Sequence, residues 1–241
     1  MLKAVFFDAA GTLFDAREPV GHTYARLARR YGVDASDAAV SASFRRAFGA
    51  ASGLAFGPGR RPAELRRLER EWWRDKVANT MEPLGTLSDF DAYFDALFSY
   101  FADPDHWQAD DEATAVLQRL KDRGLKLGVI SNFDHRLYRI LDGLGLTPYF
   151  DSITISSEAG YAKPSARIFE TALSSVGVAP GEAMHVGDSE HLDLAAADAA
   201  GLLAVLIDPA QAPGPAVVAG RRARIFALAC MPDLEREFQL A

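Results

Sequence analysis

A chain of 241 residues with 49% hydrophobic content can bury one sizeable core plus a smaller satellite, which excludes a disordered polymer. The formal net charge of −7 excludes nucleic acid and anionic membrane as main partners, because both reward a basic face. Cys230 is the one cysteine, Asp8 interrupts the apolar start too early for a secretion leader, and no apolar run is long enough to span a bilayer, so a cytoplasmic protein is expected.

The first apolar run, KAVFFDA (3–9), reads as a strand that delivers Asp8 into a turn at Gly11-Thr12, with Ala10 between them. Residues 17–103 then carry helical spacing only, over 20–31, 38–48, 62–80 and 87–101, with a loop at 49–62. This stretch is expected to form a helical cap domain, 17–103, inserted into a core made of 1–16 and 104–241. Within it, RRPAELRRLEREWWRDK (60–76) interleaves Glu64, Glu69, Glu71 and Asp75 with arginines, the pattern of a solvated face with intrahelical ion pairs. Trp72 and Trp73 are expected to pack in the core of the cap. Beyond 104, strand-like runs at 125–132, 151–157, 182–188 and 202–208 alternate with helical stretches at 112–123, 135–144, 166–176 and 192–200. Such alternation predicts an α/β fold, a doubly wound parallel sheet covered on both faces. Right-handed crossovers put the carboxyl ends of the strands on one edge, where ligands bind.

The polar residues gather at those ends. Asp8 closes the first strand, Ser131-Asn132 the strand at 125–132, Lys163-Pro164 follow the strand at 151–157, and Gly187-Asp188 close the strand at 182–188, with Asp193 just beyond. Together they supply a phosphoryl-transfer site. Asp8 is placed to be a covalent nucleophile. The Ser131 hydroxyl, Asn132 backbone N–H, Thr12 and the Lys163 ammonium offer donors to the transferring phosphoryl group. Nucleophile and phosphate repel each other unless a cation lies between, and Asp8, Asp188 and a backbone carbonyl suit Mg²⁺. Asp193 either holds Lys163 or a metal-bound water. Phe133, Asp134, His22 and Tyr24 are candidates for substrate specificity.

The Asp8 motif, VISN (129–132), AKP (162–164) and GDSEHLDLAAADAAG (187–201) resemble, in order and spacing, the motifs of the haloacid dehalogenase-like hydrolase superfamily. DAAGTL, GVISNFDHRL and KPSARIFETAL most resemble its domain-containing-3 type members. The resemblance implies a Rossmann-type core with a helical cap of the first type and a small phosphorylated substrate. Within the site it implies Asp8 as nucleophile, Thr12 and Ser131 as phosphate or substrate contacts, Lys163 as the charge-neutralising lysine, and Asp188 as metal ligand. It also exposes a departure: the phosphatases carry Asp where this chain has Ala10. The carbonyl there binds metal in either case, but the general acid and base is lost, a contribution of about 10²- to 10⁴-fold.

Three readings follow. One is a Mg²⁺-dependent hydrolase of phosphate esters or anhydrides working without that acid. Another is cleavage of a carbon–phosphorus or carbon–halogen bond, since phosphonate hydrolases have Ala at this place and 2-haloacid dehalogenases have DAYGTLFD. Against it, Lys76 is the one lysine in 17–103, and the Gly187-Asp188 motif is unusual for metal-free dehalogenases. The last is a phosphate- or metal-binding protein with a weakened site.

Overall fold

The computed structural model describes residues 1–49, 53–210, 216–232 and 234; positions 50–52 of the expected cap loop and 235–241 of the expected core lie outside it. The first half of the chain gives β1 (Ala4–Phe7), β2 (Phe14–Ala16), α1 (Val20–Ala28), α2 (Asp37–Gly49), α3 (Pro62–Met81), α4 (Phe90–Tyr100), β3 (Trp107–Ala109) and α5 (Ala113–Asp122). The second half gives β4 (Lys126–Ser131), α6 (Arg136–Gly143), β5 (Ser152–Ile155), α7 (Ser156–Ala159), α8 (Ala166–Val176) and β6 (Ala183–Gly187). A π-helical turn, Glu190–Ala195, then runs into α9 (Ala196–Ala199), followed by β7 (Leu203–Ile207), β8 (Val217–Ala219) and β9 (Arg222–Ile225).

Every residue of β1 is buried, as a central strand with both faces covered requires. The period of two sends Val5 and Phe7 to one face, with Leu127, Val129 and Val186, against Leu117 of α5 and Leu137 and Ile140 of α6. Ala4 and Phe6 go to the other face, with Ile130 and Ala204, against Ile168, Phe169 and Leu173 of α8. Each such large side chain contributes roughly 1.5–3 kcal/mol through burial. The described strands form a seven-stranded sheet in the order β5-β4-β1-β6-β7-β9-β8, parallel except for the edge strand β8. The doubly wound α/β core is therefore as expected, and the carboxyl ends of β1, β4, β5 and β6 share one edge.

β2 and β3 pair antiparallel as a separate ribbon, Phe14 opposite Ala109 and Ala16 opposite Trp107. Three-residue strands are too short to show alternation, so sequence periodicity passed over them, as it did β8 and β9. Helices α1–α4 lie between the two ribbon strands and pack around Tyr24, Val77, Met81, Tyr93 and Leu97. Tyr93 donates its hydroxyl to the Tyr24 carbonyl at 3.1 Å.

α3 departs from the expected solvated face in two ways. Arg60–Glu64 and Arg67–Glu71 are exposed i,i+4 pairs as expected, but Arg70 and Arg74 reach across to Asp95 and Asp91 of α4. Glu69 is fully buried and bonded to His135, because this side of α3 lies on the loop that precedes α6. Trp72 packs edge-on to Trp73, with ring centroids 5.0 Å apart. Trp73 does more than fill the insert: its indole N–H donates to Asp134 Oδ2 at 2.5 Å.

Candidate active site

Asp8 is the first residue past β1, and its N–H still donates to the Val186 carbonyl at 2.8 Å. The chain then turns tightly, with the N–H groups of Thr12 and Leu13 both bonded to the Ala9 carbonyl. Gly11 makes this turn at φ +84°, and a Cβ there would stand 2.6 Å from Asp188 Oδ2, so glycine is required for conformation and for space. Gly187, at the end of β6, is required for space alone: a Cβ there would meet the Asp193 carboxyl carbon at 2.2 Å. These two bare positions let Asp8, Asp188 and Asp193 bring carboxylate oxygens within 4.8 Å of one another.

Lys163 enters from the loop after α7, through a cis Lys163–Pro164 peptide. The Asn132 side chain clasps the lysine's backbone from both sides: Oδ1 accepts from Lys163 N at 2.8 Å and Nδ2 donates to Lys163 O at 2.9 Å. The ammonium reaches Asp8 Oδ1 at 2.9 Å and Asp193 Oδ1 at 2.6 Å. Burial pushes Lys163 down, but the charges of Asp8 and Asp193 outweigh it and raise its pKa above the usual lysine value. Burial likewise opposes ionisation of Asp193, yet the His185 hydrogen bond and the Lys163 charge hold its carboxyl well below the usual range. His185 Nε2 donates to Asp193 Oδ1 at 2.8 Å, and Ser189 N donates to Oδ2 at 3.0 Å. Asp193 is thus already held by Lys163, His185 and Ser189, and of its two expected roles the one the geometry displays is to hold Lys163.

Asp188 stands at the exposed mouth of the cluster. Partial burial, then the negative charges of Asp8 and Asp193, push its pKa up to about 6. A divalent cation between Asp8 and Asp188 would relieve that repulsion, and the carboxylate donor set suits a hard cation such as Mg²⁺. Thr12 Oγ1 is buried in the turn with no hydrogen-bond partner among the described residues, and Ser131 is buried at the end of β4. His185 escaped the sequence reading because it sits among apolar neighbours in β6. Its signal was a polar side chain inside a strand that is buried throughout.

Of the specificity candidates, His22 is bound to Asp37 at 2.7 Å within the helical insert, and Asp134 is fully buried under Arg136 at 2.6 Å. Tyr24 and Phe133 instead line a cavity between insert and core. Lys76 holds its ammonium 5.3 Å from the centre of the Trp72 ring.

The family model for haloacid dehalogenase-like hydrolases matches residues 2–201. The chain belongs to that family. This hydrolase is 38% identical over 215 residues to the haloacid dehalogenase-like hydrolase domain-containing protein 3 of Mus musculus, covering 86% of this chain and 82% of that one. It is 30% identical to the glyceraldehyde 3-phosphate phosphatase of Methanothermobacter thermautotrophicus over 86% of each chain. Among solved structures, the hydrolase resembles a phosphatase of the family from Thermococcus onnurineus at a TM-score of 0.64 and 25% identity, covering 98% of each chain. Its fold also matches the L-2-haloacid dehalogenase RSc1362 at a TM-score of 0.70 and 23% identity, over 99% of each chain. Among the described residues of the hydrolase, no helix is long and apolar enough to cross a membrane.

Proposed function

We propose that this hydrolase is a Mg²⁺-dependent phosphatase that cleaves a small phosphorylated molecule through an aspartyl phosphate on Asp8. The observation that carries the reading is the charge ladder Asp8–Lys163–Asp193, braced by the hydrogen bond from His185 to Asp193, which fixes one oxygen of a strand-end carboxylate and leaves the other to attack. Asp8, the carbonyl of Ala10 and Asp188 would hold the metal, which when bound supplies charge neutralisation between nucleophile and phosphate. Residues 17–103 act as the cap domain over the core of 1–16 and 104–241.

In the first step an Asp8 oxygen bonds to phosphorus as the bond from phosphorus to the leaving oxygen breaks. Lys163, Thr12 and Ser131 hold the phosphoryl oxygens, and Asn132 keeps Lys163 in place through its backbone. Ala10 brings no proton, so the leaving group departs as an anion and takes its proton from solvent. Water then attacks phosphorus, releasing inorganic phosphate and restoring the Asp8 carboxylate. Substrates with acidic leaving groups, acyl and aryl phosphates, suit this site best.

A panel of acetyl phosphate, p-nitrophenyl phosphate, glycerol 3-phosphate, phosphonoacetaldehyde and 2-chloropropionate, each assayed with Mg²⁺ and with excess chelator, tests the reading. Turnover of acetyl and p-nitrophenyl phosphate in Mg²⁺ alone is the expected result. Metal-independent release of chloride would replace it with the carbon–halogen alternative, and release of phosphate from phosphonoacetaldehyde with the carbon–phosphorus one. A protein that binds phosphate but turns over none of them is the weakened-site reading.

A further inference from the structure

His185 is the middle residue of β6 and is fully buried. Its register partners are Phe6 of β1 and Ala204 of β7, and the Phe169 ring of α8 meets it edge-on, 5.3 Å between centroids. Such neighbours suit a leucine or valine. The ring carries a visible cost here, because Nδ1 is buried without a hydrogen-bond partner among the described residues. An orphaned polar atom in a core strand calls for an offsetting role elsewhere on the same side chain.

That role lies at Nε2, 2.8 Å from Asp193 Oδ1. An ionised carboxylate only accepts hydrogen bonds, so the proton of this bond belongs to Nε2. Nδ1 faces no acceptor, and a second proton there would stand unpaired among apolar groups, so the ring is a neutral donor. Asp193 Oδ1 takes its other bond from Lys163 Nζ at 2.6 Å, and Oδ2 takes one from Ser189 N at 3.0 Å. His185 and Ser189 thus hold one oxygen each and stop the carboxylate from turning about its bond to Cβ. A neutral donor does this without competing for the carboxylate's charge, which is left to Lys163; an arginine or lysine in its place would draw that charge away. Lys163 reaches on to Asp8 Oδ1 at 2.9 Å. Any swing of the Asp193 carboxylate carries the ammonium with it, and a misplacement of about 1 Å can cost about 10²-fold in rate.

We propose that His185 is a positioning residue: as a neutral Nε2–H donor it fixes the Asp193 carboxylate in the orientation that aims the Lys163 ammonium at Asp8 and the phosphoryl group. The inference rests on the proposed phosphatase reading and adds to it a residue that never touches the substrate.

His185→Gln keeps an N–H donor at the same number of bonds from the backbone, whereas His185→Leu keeps the bulk and removes the donor. With p-nitrophenyl phosphate and Mg²⁺, kcat/KM is expected to fall about 10- to 100-fold in His185→Leu and to recover most of that loss in His185→Gln. The Lys163 ammonium gives a reading without turnover: its ¹H–¹⁵N magnetic resonance signal should move in His185→Leu and return toward the wild-type position in His185→Gln. In the wild type, the His185 ring nitrogens should show the proton on Nε2 and a bare Nδ1, a measurement that needs no variant to fold. A proton on Nδ1 with Nε2 bare overturns the assignment. So does an unmoved Lys163 signal in His185→Leu, or His185→Gln as impaired as His185→Leu, since the ring then only fills space. A wild type that cleaves no phosphate, with the Lys163 signal moved by His185→Leu and restored by His185→Gln, removes the phosphatase and keeps the positioning of Lys163.

Discussion

At the strand ends, Asp8, Lys163, His185 and Asp193 come from four separate segments and meet a further carboxylate, Asp188, that has no cation of its own among the described residues. At the seam below the helical insert, Asp134 and His135 of one loop and Arg136 at the start of α6 meet Glu69 and Trp73 from one helix, with Asp134 and Glu69 each matched by a basic neighbour. Both regions bury charge, but only the first carries a surplus. Surplus charge in a folded protein is a cost that the rest of the structure must carry, and it marks a place selected for chemistry; matched buried charge marks a joint. The contrast separates what should fail in turnover from what should fail in stability.

The sharpest break is Asp8→Asn. The amide fits the turn but forms no stable acyl phosphate, so turnover should fall by about 10⁴-fold or more. The melting temperature should stay close to wild type, because Lys163 keeps Asp193 at 2.6 Å. Turnover near wild type would remove Asp8 from covalent catalysis, and a collapsed melting temperature would make the strand ends a joint after all. Next comes Ala10→Asp, which restores a carboxyl beside the leaving group. It should accelerate alkyl phosphates by about 10²- to 10⁴-fold and aryl phosphates by less. Rapid acid quench and intact mass should then show aspartyl phosphate accumulating in wild type and not in the variant; equal rates for alkyl and aryl esters in wild type would place the acid elsewhere.

The seam should respond the other way. Asp134→Ala leaves the guanidinium of Arg136, 6% exposed, without its counter-charge, and should cost about 3–5 kcal/mol in denaturant unfolding. Replacing both partners, Asp134→Leu with Arg136→Met, should recover much of that loss. The smallest effect is a pH dependence. The Glu69 hydrogen bond, against the effect of burial, raises the His135 pKa above its ordinary 6.5. The folded state binds this proton more tightly than the unfolded chain does, so its stabilisation is complete below pH 6.5 and is lost as pH rises through the folded pKa. Unfolding midpoints compared between pH 5.5 and 9 should show the decline in wild type and a flatter profile in His135→Gln.

The two regions also differ in how far sequence exposes them. Asp8 and Asp188 each follow, and Ser131 ends, a strand whose apolar run announces itself, Lys163 comes in the loop after β5 and α7, and parallel topology does the rest by carrying those ends to one edge. The joint is silent because it depends on which way α3 faces. Glu69 lies in the same arginine-rich run as Glu64 and Glu71, and nothing local distinguishes the buried carboxylate from the other two. The sequence offers Asn132 for its backbone N–H, whereas the structure uses its side chain, since a clasp on a residue 31 positions away is a tertiary fact. His185 is hidden for the opposite reason, as a polar residue inside a run that reads as pure core.

The ribbon of β2 and β3 has a consequence for how this molecule can change. The chain departs on Phe14–Ala16 and returns on Trp107–Ala109, strands zipped to each other by their own backbone. Everything between hangs from a clasped pair of ends, so the sheet experiences the helical excursion as one short hairpin whatever its length. Closing a flexible excursion costs only about 0.6 kcal/mol more for each doubling of its length. A bundle of another size could be spliced beyond that clasp with the strand register untouched, which makes the ribbon a graft junction between the sheet and whatever helices hang from it.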